Sequence, residues 1–381
     1  MNESYTSSAS LSDLSLWERT KGKRVPYSFE LELTPRCNLD CRHCYINLSA
    51  GDRQAIKIEL SIEEISTIAD QAVSLGALWC LITGGEPLLR PDFSDIYLLL
   101  KRKGLLVSVF TNACLVTEDH VELFKEYAPR DIEVSVYGAT QGTYEQVTRR
   151  PGSYAAFRRG LDLLLGNSIK VRLKAMALRS NVHELPQISR FCRQYTKDYF
   201  RFDPQLHLRY DRNPQRNAEI RAERLSPAEI VAIEQADEER LTSLKERCDT
   251  LIVPEFADSR DNYLFHCGAG NGSFTIGYNG SFRLCSSLIE PSCVYDLRKG
   301  NLADAWFNFV PEVRAKTSSD SDYLTNCHKC SLVNLCLWCP AHAFLESGRL
   351  DGQGEYFCRV AHERAQAIEM SMSPSSSATS T

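Results

Sequence analysis

Short apolar runs alternate with amphipathic segments from residue 27 to residue 203. The apolar runs predict buried strands over 27–33, 78–83, 105–113, 131–138, 170–178 and 199–203. The segments between them predict helices. In the first helix, over 61–76, Ser61 and Glu64 have the spacing of a capping box and Gly76 ends the pattern. The chain is therefore predicted to contain six successive β-α units.

Repeated β-α units require a parallel sheet with right-handed crossovers, which makes this an α/β fold. Six units are fewer than the eight of a closed barrel, so we expect a partial (β/α)6 parallel barrel. In such folds the reactive site lies at the carboxyl ends of the strands. Residues 37–44 follow the first predicted strand and residues 83–87 follow the second. Both segments should therefore lie at the same edge of the sheet.

The pattern changes after the predicted barrel. Residues 212–225 predict a linker, and Ser226 and Glu229 cap a predicted exposed helix. Asn279-Gly280 is a strong turn signal and predicts a β-hairpin. The predicted organisation is an N-terminal extension (1–26), the barrel (27–210), a linker with a helix (211–260), a cysteine-rich domain (261–365) and a disordered Ser-rich tail (366–381).

Composition narrows the class of protein. Hydrophobic residues make up 43% and charged residues 24% of the 381 residues, as in ordinary globular proteins. A net charge of −5 gives no basic footprint for nucleic acid, and no apolar run is long enough for a membrane span. The N-terminus does not have the pattern of a signal peptide, so we expect a cytoplasmic protein. In that setting 15 cysteines indicate metal binding and not a disulfide framework.

Cys37, Cys41 and Cys44 have C-x3-C-x2-C spacing. Three thiolates on a cubane cluster leave one of its four irons free. Here the sequence resembles the radical SAM superfamily, in which the free iron binds S-adenosylmethionine (SAM). The resemblance implies a 4Fe–4S cluster that reduces SAM to methionine and a 5′-deoxyadenosyl radical, which removes a hydrogen atom from a substrate. The usual aromatic residue before the third cysteine is His43 here, and Tyr45 is the aromatic residue expected near SAM.

A zinc knuckle completed by His43 is the alternative interpretation of the same segment. His43 and Cys44 are adjacent, which makes them awkward ligands of one tetrahedral ion. The cluster is therefore the favoured interpretation.

The segment "TGGEP" (83–87) resembles the family's SAM amino-group site. A double glycine after a strand is a weak signal by itself, because many turns need positive φ. After the second strand of this chain it implies that Gly84 and Gly85 allow close backbone approach. Glu86 would then place a carboxylate near the ammonium group of SAM.

The fourth predicted strand contains Ser135, and "VTRRPG" follows it. In relatives, a serine and an arginine at these places meet the SAM carboxylate, and a guanidinium suits that task. The resemblance implies this role for Ser135 and for Arg149 or Arg150. An inward-facing core serine and a solvated arginine remain equally good interpretations.

The C-terminal cysteines resemble the SPASM extension, which binds two auxiliary 4Fe–4S clusters. The spacing "CLWC" has two intervening residues where the family usually has three. The resemblance implies one complete cluster on Cys327, Cys330, Cys336 and Cys358, and a second on Cys267, Cys285 and Cys339. For the fourth ligand of the second cluster, Cys248, Cys293 and an open position are all candidates. A pair of zinc sites is the alternative, and Cys80, Cys114 and Cys192 are expected to be buried hydrophobic residues.

Two absences bear on the reaction. Related sulfatase-maturating enzymes have an aspartate proton acceptor directly after the cysteine that corresponds to Cys285, and this chain has Ser286. This argues against sulfatase maturation. About 25 residues precede the first strand, too few for a leader-binding winged-helix domain, so a separate protein is expected to present any leader peptide.

The favoured hypothesis is maturation of a ribosomally made peptide by cross-linking, epimerisation or excision. The expected partners are a precursor peptide, a leader-peptide-binding protein and a flavodoxin- or ferredoxin-type electron donor. The alternative is a radical SAM enzyme that acts on a tetrapyrrole, sugar or quinone precursor. A non-catalytic iron–sulfur carrier is a third hypothesis, and the segment Gly84-Gly85-Glu86 argues against it.

Overall fold

The computed structural model of the protein describes residues 22–196, 202–246, 262–336 and 338–372. In this part of the chain nine strands form one sheet in the order β9-β8-β7-β1-β2-β3-β4-β5-β6. The strands are β1 (Ser28–Glu32), β2 (Trp79–Thr83), β3 (Leu106–Thr111), β4 (Asp131–Val136), β5 (Val171–Met176), β6 (Phe202–Asp203), β7 (Ser273–Ile276), β8 (Ser281–Arg283) and β9 (Tyr295–Asp296). A separate short parallel pair joins Arg36–Cys37 to Leu48–Ser49.

Fifteen α-helices accompany these strands in the described ranges. They are α1 (Arg53–Ile58), α2 (Ile62–Ser74), α3 (Phe93–Arg102), α4 (Glu118–Glu126), α5 (Gln141–Thr148), α6 (Ser153–Gly166), α7 (Leu185–Tyr195), α8 (Pro214–Glu223), α9 (Pro227–Gln235), α10 (Glu238–Glu246), α11 (Leu302–Asp304), α12 (Val310–Arg314), α13 (Val333–Cys336), α14 (Pro340–Ser347) and α15 (Glu355–Met372). Short 3-10 turns cover Pro87–Leu89, Val182–Glu184 and Pro291–Cys293, and π-turns cover Ala305–Phe309 and Tyr323–Cys327.

The predicted partial barrel is confirmed. Strands β1 to β6 pair in parallel in chain order, and helices connect them. The capping box of Ser61 and Glu64 is present at the start of α2, and α2 buries Ile65 and Ile68 against the sheet. Each such apolar side chain contributes roughly 1.5–3 kcal/mol when it is fully buried. Of the last predicted strand only Phe202–Asp203 lies within the described residues; residues 199–201 lie outside them.

The predicted hairpin is also confirmed, and it has a partner that the sequence did not predict. Strands β7 and β8 pair antiparallel, and Gly280 in the turn has a φ of +83°. Strand β7 pairs in parallel with β1, so the hairpin extends the barrel sheet. Phe29 of β1 stacks on Phe274 of β7 with 5.4 Å between the ring centroids. The cysteine-rich region is therefore joined to the barrel through a continuous sheet.

The prediction of a linker over 212–225 is wrong. Asn213 caps α8 by accepting a hydrogen bond from the Arg216 backbone N–H. Pro214 occupies the first turn, where a backbone N–H would have no partner within the helix, so the N–H that proline lacks is not missed. The helix is strongly polar because it packs on a polar loop through ion pairs, which hydrophobic periodicity cannot detect.

The following predicted helix is two helices. α9 ends at Gln235, and α10 begins at Glu238. Its charge run is also not wholly exposed: Glu234 is 1% exposed and bonds Arg364 of α15. The capping box of Ser226 and Glu229 is present as predicted.

The C-terminal helix α15 runs to Met372, beyond the predicted start of the tail at residue 366. Val360, Ala361 and Ile368 are buried, because this face packs against α9 and α13. Residues 373–381 lie outside the described residues. In the described ranges, none of the helices has the length and hydropathy needed to cross a bilayer.

Candidate active site

A cavity of about 530 Å³ lies at the carboxyl ends of the barrel strands. One part of its wall comes from residues 37–47, the cysteine loop after β1, and another from Gly84 and Gly85 after β2. Ser135 of β4 and Lys174 of β5 line its floor, and His342 of α14 closes it from the C-terminal region. Both predicted motifs thus lie at one edge of the sheet, as expected for parallel strands.

Cys37, Cys41 and Cys44 all line this cavity. Cys37 and Cys41 are buried and Cys44 is half-buried, and burial raises the pKa of each thiol. Backbone N–H groups of Leu39 and Asn47 donate to the sulfurs of Cys37 and Cys44, each at 3.4 Å. Such hydrogen bonds stabilise a thiolate and would offset part of the cost of burying one.

Gly84 and Gly85 pack directly against the cysteine loop. The Gly85 N–H donates to the Thr34 carbonyl at 2.7 Å, and Gly84 has a φ of +134°. A Cβ on Gly85 would lie 2.3 Å from the Arg36 carbonyl oxygen, closer than any side chain tolerates. The two glycines are therefore required for this approach of the backbones, and both remain on the cavity wall.

Glu86 is placed differently from the expectation of direct SAM contact. Its side chain is 0% exposed and is not part of the cavity wall. The carboxylate accepts hydrogen bonds from the Thr111 hydroxyl (2.8 Å), the Asn112 N–H (2.7 Å) and the Leu88 N–H (3.1 Å). Burial still raises its pKa to about 7. Glu86 thus connects the end of β2 to the end of β3.

The connection made by Glu86 continues to the cysteines. The Asn112 side chain donates to Asn38 at 2.8 Å and approaches the Cys37 sulfur at 3.7 Å. Glu86 therefore positions the cysteine loop through Asn112.

Ser135 and Tyr45 line the cavity as predicted for SAM contacts. The Tyr45 ring lies 4.7 Å from both the His207 ring and the Tyr210 ring. Beside Ser135, Tyr137 packs against His43 with 5.2 Å between ring centroids. Among the described residues, the buried Nδ1 of His43 has no hydrogen-bond partner, and burial lowers the pKa of His43 to about 4.

Arg149 does not reach the cavity wall. Its guanidinium makes two hydrogen bonds to Glu219 of α8, at 2.8 and 2.9 Å, and donates to the Asp40 carbonyl at 2.8 Å. The alternative, Arg150, is exposed. The expected carboxylate contact by Arg149 is therefore absent from this arrangement, because the residue is used to hold the cysteine loop against α8.

The electrostatic effects among the C-terminal cysteines follow the two expected groups. In the first group, burial raises the pKa of Cys336 to about 12, with further increases from nearby Cys358, Cys330 and Cys327. In the second group, burial raises the pKa of Cys339 to about 12, and Cys285 and Cys267 add to the increase. These mutual effects require that the members of each group lie near one another.

The main charged neighbour of Cys293 is a carboxylate and not a cysteine. Burial raises the pKa of Cys293 to about 12, and the next contribution comes from Glu290 and not from another cysteine. Cys248, the other candidate for the fourth ligand, lies outside the described residues. Cys80, Cys114 and Cys192 are buried, as predicted.

The cysteine groups have the chemistry of iron–sulfur ligands. Within the described ranges, no three His, Cys, Asp or Glu side chains are close enough to hold one metal ion. Thiolates on a 4Fe–4S cluster bind different irons at different corners, so they need not converge on one point. Three thiols on the cavity wall, two of them hydrogen-bonded at sulfur, fit such a cluster with one side facing the cavity.

Several cavity residues were not predicted from the sequence. Glu30 lines the cavity, and among the described residues its side chain has hydroxyl partners but no ion pair; Thr275 donates to it at 3.2 Å. Burial raises the pKa of Glu30. Its signal was a charged residue between two apolar residues of a predicted buried strand. His207 and His342 stack at 5.3 Å, and nothing in sequence connects residues so far apart.

Comparison with known proteins agrees with this arrangement. Residues 31–192 match the model of the radical SAM superfamily. The subtilosin biosynthesis protein AlbA of Bacillus subtilis is 29% identical over 180 residues, 47% of this chain and 39% of AlbA. An AdoMet-dependent heme synthase of Nitratidesulfovibrio vulgaris is 23% identical over 334 residues, 83% of this chain and 88% of that protein. The chain spans about two fifths of the length of the first curated relatives that it matches.

The fold is shared with solved structures. Streptococcus suis SuiB bound to its precursor peptide SuiA superimposes with a TM-score of 0.65, over 90% of this chain and 78% of SuiB, at 16% identity. The radical SAM family uses SAM and a 4Fe–4S cluster, the cofactors expected from the cysteine triad and the double glycine. Residues 31–192 thus match the radical SAM superfamily, in agreement with the resemblance found in the sequence.

Proposed function

We propose that this protein is a radical SAM enzyme that modifies a ribosomally made peptide. The observation that carries the proposal is the cavity shared by the cysteine triad, the double glycine and residues next to the C-terminal cysteine groups. Ser286 follows Cys285, and Phe357 precedes Cys358, and both line this cavity. AlbA is a bacteriocin biosynthesis protein, and SuiB binds a precursor peptide. Both support a peptide substrate.

The residues of the cavity would have separate roles in the reaction. Cys37, Cys41 and Cys44 would hold a 4Fe–4S cluster, which supplies the electron that splits SAM to the hydrogen-abstracting 5′-deoxyadenosyl radical. The backbone at Gly84 and Gly85, with Tyr45 and Ser135, would bind and orient SAM, and the enclosed wall would exclude water. The family role of Arg149 and the side-chain role of Glu86 are not supported by their positions.

We also propose that the two C-terminal groups hold auxiliary 4Fe–4S clusters. The first group supplies four thiols. The second supplies three, Cys267, Cys285 and Cys339, and its fourth position is open or filled from outside the described residues. Cys293 is a poor candidate for that position, because Glu290 and not a cysteine is its charged neighbour. A leader-peptide-binding protein and a flavodoxin- or ferredoxin-type donor are the proposed partners.

The second candidate function is modification of a small molecule such as a tetrapyrrole. It is favoured by the heme synthase of Nitratidesulfovibrio vulgaris, whose similarity extends over most of both chains. A peptide encoded beside the gene would favour the first candidate, and biosynthetic neighbours would favour the second.

The test is release of 5′-deoxyadenosine from SAM by the anaerobically reconstituted, dithionite-reduced protein. The control changes Cys37, Cys41 and Cys44 together to alanine. We expect release by the wild type and none by the control. SAM binding should also alter the electron paramagnetic resonance (EPR) signal of the reduced wild type. If folded, iron-loaded protein shows neither release of 5′-deoxyadenosine nor an altered EPR signal, the proposed enzyme is refuted and a carrier is favoured.

A further inference from the structure

Arg209 lies buried beneath the cysteine loop, in the segment between β6 and α8. It is 3% exposed, which is rare for an arginine and requires partners for its charge. Its Nη1 donates to the Cys44 carbonyl at 3.3 Å and to the Asn47 side-chain oxygen at 2.8 Å. Its Nη2 donates to the Asn47 carbonyl at 3.2 Å. The guanidinium thus contacts the backbone at both ends of the turn that follows the third cysteine.

Arg209 also acts on the Cys44 sulfur. The Asn47 N–H, held in place by Arg209, donates to that sulfur at 3.4 Å. A buried cation this close to the Cys44 backbone favours negative charge on a cluster bound to the Cys44 sulfur.

The partner of Arg209 is only partly buried. Asp211 accepts a hydrogen bond from Nη2 at 2.7 Å, but 46% of its side chain is exposed. Water therefore screens the carboxylate more than it screens the guanidinium. The field at the cysteine loop should be dominated by the buried positive charge.

We propose that Arg209 sets the reduction potential of the cluster held by Cys37, Cys41 and Cys44, raising it through a buried positive charge. The inference rests on the proposed function of these cysteines. Reduction moves one electron from a low-potential donor to the cluster and adds one negative charge there. A nearby cation stabilises that reduced form, as hydrogen bonds and charges around a cluster generally do.

Arg216 provides a matched comparison. It touches the same loop, since its Nη2 donates to the Cys41 carbonyl at 3.2 Å. Its side chain is however 20% exposed, against 3% for Arg209, and it shares the carboxylates of Asp40 (3.1 Å) and Glu219 (2.8 Å) with Arg149. Water therefore screens its charge more than the charge of Arg209, and its role is to hold the loop.

The experiment is a redox titration of the reconstituted full chain, followed by EPR. The signal that SAM addition alters identifies the cluster with an open iron. In Arg209→Gln we expect the reduction equilibrium of that cluster to be about tenfold less favourable, a potential lower by about 59 mV. Arg209→Lys should stay within about threefold of the wild type, because it keeps the charge. Asp211→Asn should shift the equilibrium the opposite way, and Arg216→Gln should shift it less than Arg209→Gln.

A merely structural role for Arg209 predicts other results. Equal potentials in iron-loaded Arg209→Gln and wild type would overturn the inference, as would shifts of the same sign in Arg209→Gln and Asp211→Asn. If Arg209→Gln does not retain the cluster, Asp211→Asn decides, and an unchanged or lower potential there overturns it. Absence of any SAM-sensitive signal in the wild type would instead refute the proposed function itself.

Discussion

The cysteine loop and the C-terminal cysteine groups are built in opposite ways. Three cysteines of the loop lie within eight residues, and Cys37 and Cys41 are only 9% and 5% exposed. The C-terminal cysteines are spread from Cys267 to Cys358, and both of these terminal members are exposed. A site whose cysteines are close in sequence and enclosed suits a reaction that must be shielded from water. A site assembled from distant segments near the surface suits electron exchange.

The largest expected effect concerns the grouping of the C-terminal cysteines. Changing Cys330 and Cys358 together to alanine leaves the first group only two thiols and should cost the protein about four irons per chain, one whole cluster. Cys293→Ala is the matched control, because this cysteine is buried but lies outside both groups. It should leave the iron content unchanged. Iron and sulfide analysis after anaerobic reconstitution measures both, and equal losses in the two variants would contradict the grouping.

An intermediate effect is expected where the double glycine meets the cysteine loop. In Gly85→Ala the new Cβ would lie 2.3 Å from the Arg36 carbonyl oxygen, so the loop must move. We expect the free energy of unfolding to fall by about 1–3 kcal/mol, as in other overpacked sites. Gly142→Ala in α5 is the control, because nothing lies within 4 Å of its new Cβ.

Gly142→Ala should be neutral or stabilising by up to about 1 kcal/mol, since alanine favours a helix over glycine. Denaturant unfolding measures both glycine variants. If both are equally stable, the close approach of the two segments is not required. Loss of the SAM-sensitive EPR signal in Gly85→Ala alone would tie this contact to the site as well as to stability.

The last effect depends on pH. Burial raises the pKa of Glu86 from 4.5 to about 7, so its contribution to stability is complete below about pH 4.5 and is lost as the pH rises to about 7. The free energy of unfolding of the wild type should therefore fall by up to about 3 kcal/mol more than that of Glu86→Gln over this range. Parallel pH profiles for these two proteins would show that Glu86 titrates normally.

Glu355 provides the corresponding control from the other region. It is an exposed carboxylate near Cys358. Because this side chain is exposed, Glu355→Gln should change the free energy of unfolding by no more than about 0.5 kcal/mol. Denaturant unfolding at pH 4.5, 5.5 and 7 compares the wild type, Glu86→Gln and Glu355→Gln, all in the metal-free form.

The sequence alone determined the barrel and the hairpin, and it predicted the cluster cysteines. Strand periodicity and the Asn279-Gly280 turn are local, and so is the spacing of Cys37, Cys41 and Cys44. Each of these signals depends on residues that are close in the chain, which is why sequence suffices. The division of the C-terminal cysteines into two groups, in contrast, was predicted from a resemblance and not from physical reasoning about the chain.

Only the tertiary structure decided which polar side chains face the cavity. Glu86 and Arg149 turn away from it because stronger partners, Asn112 and Glu219, are brought to them by other elements. Arg209 reaches the Cys44 carbonyl across 165 positions of sequence. A charged side chain can satisfy its hydrogen bonds in many directions, and its direction is fixed only when distant elements pack around it.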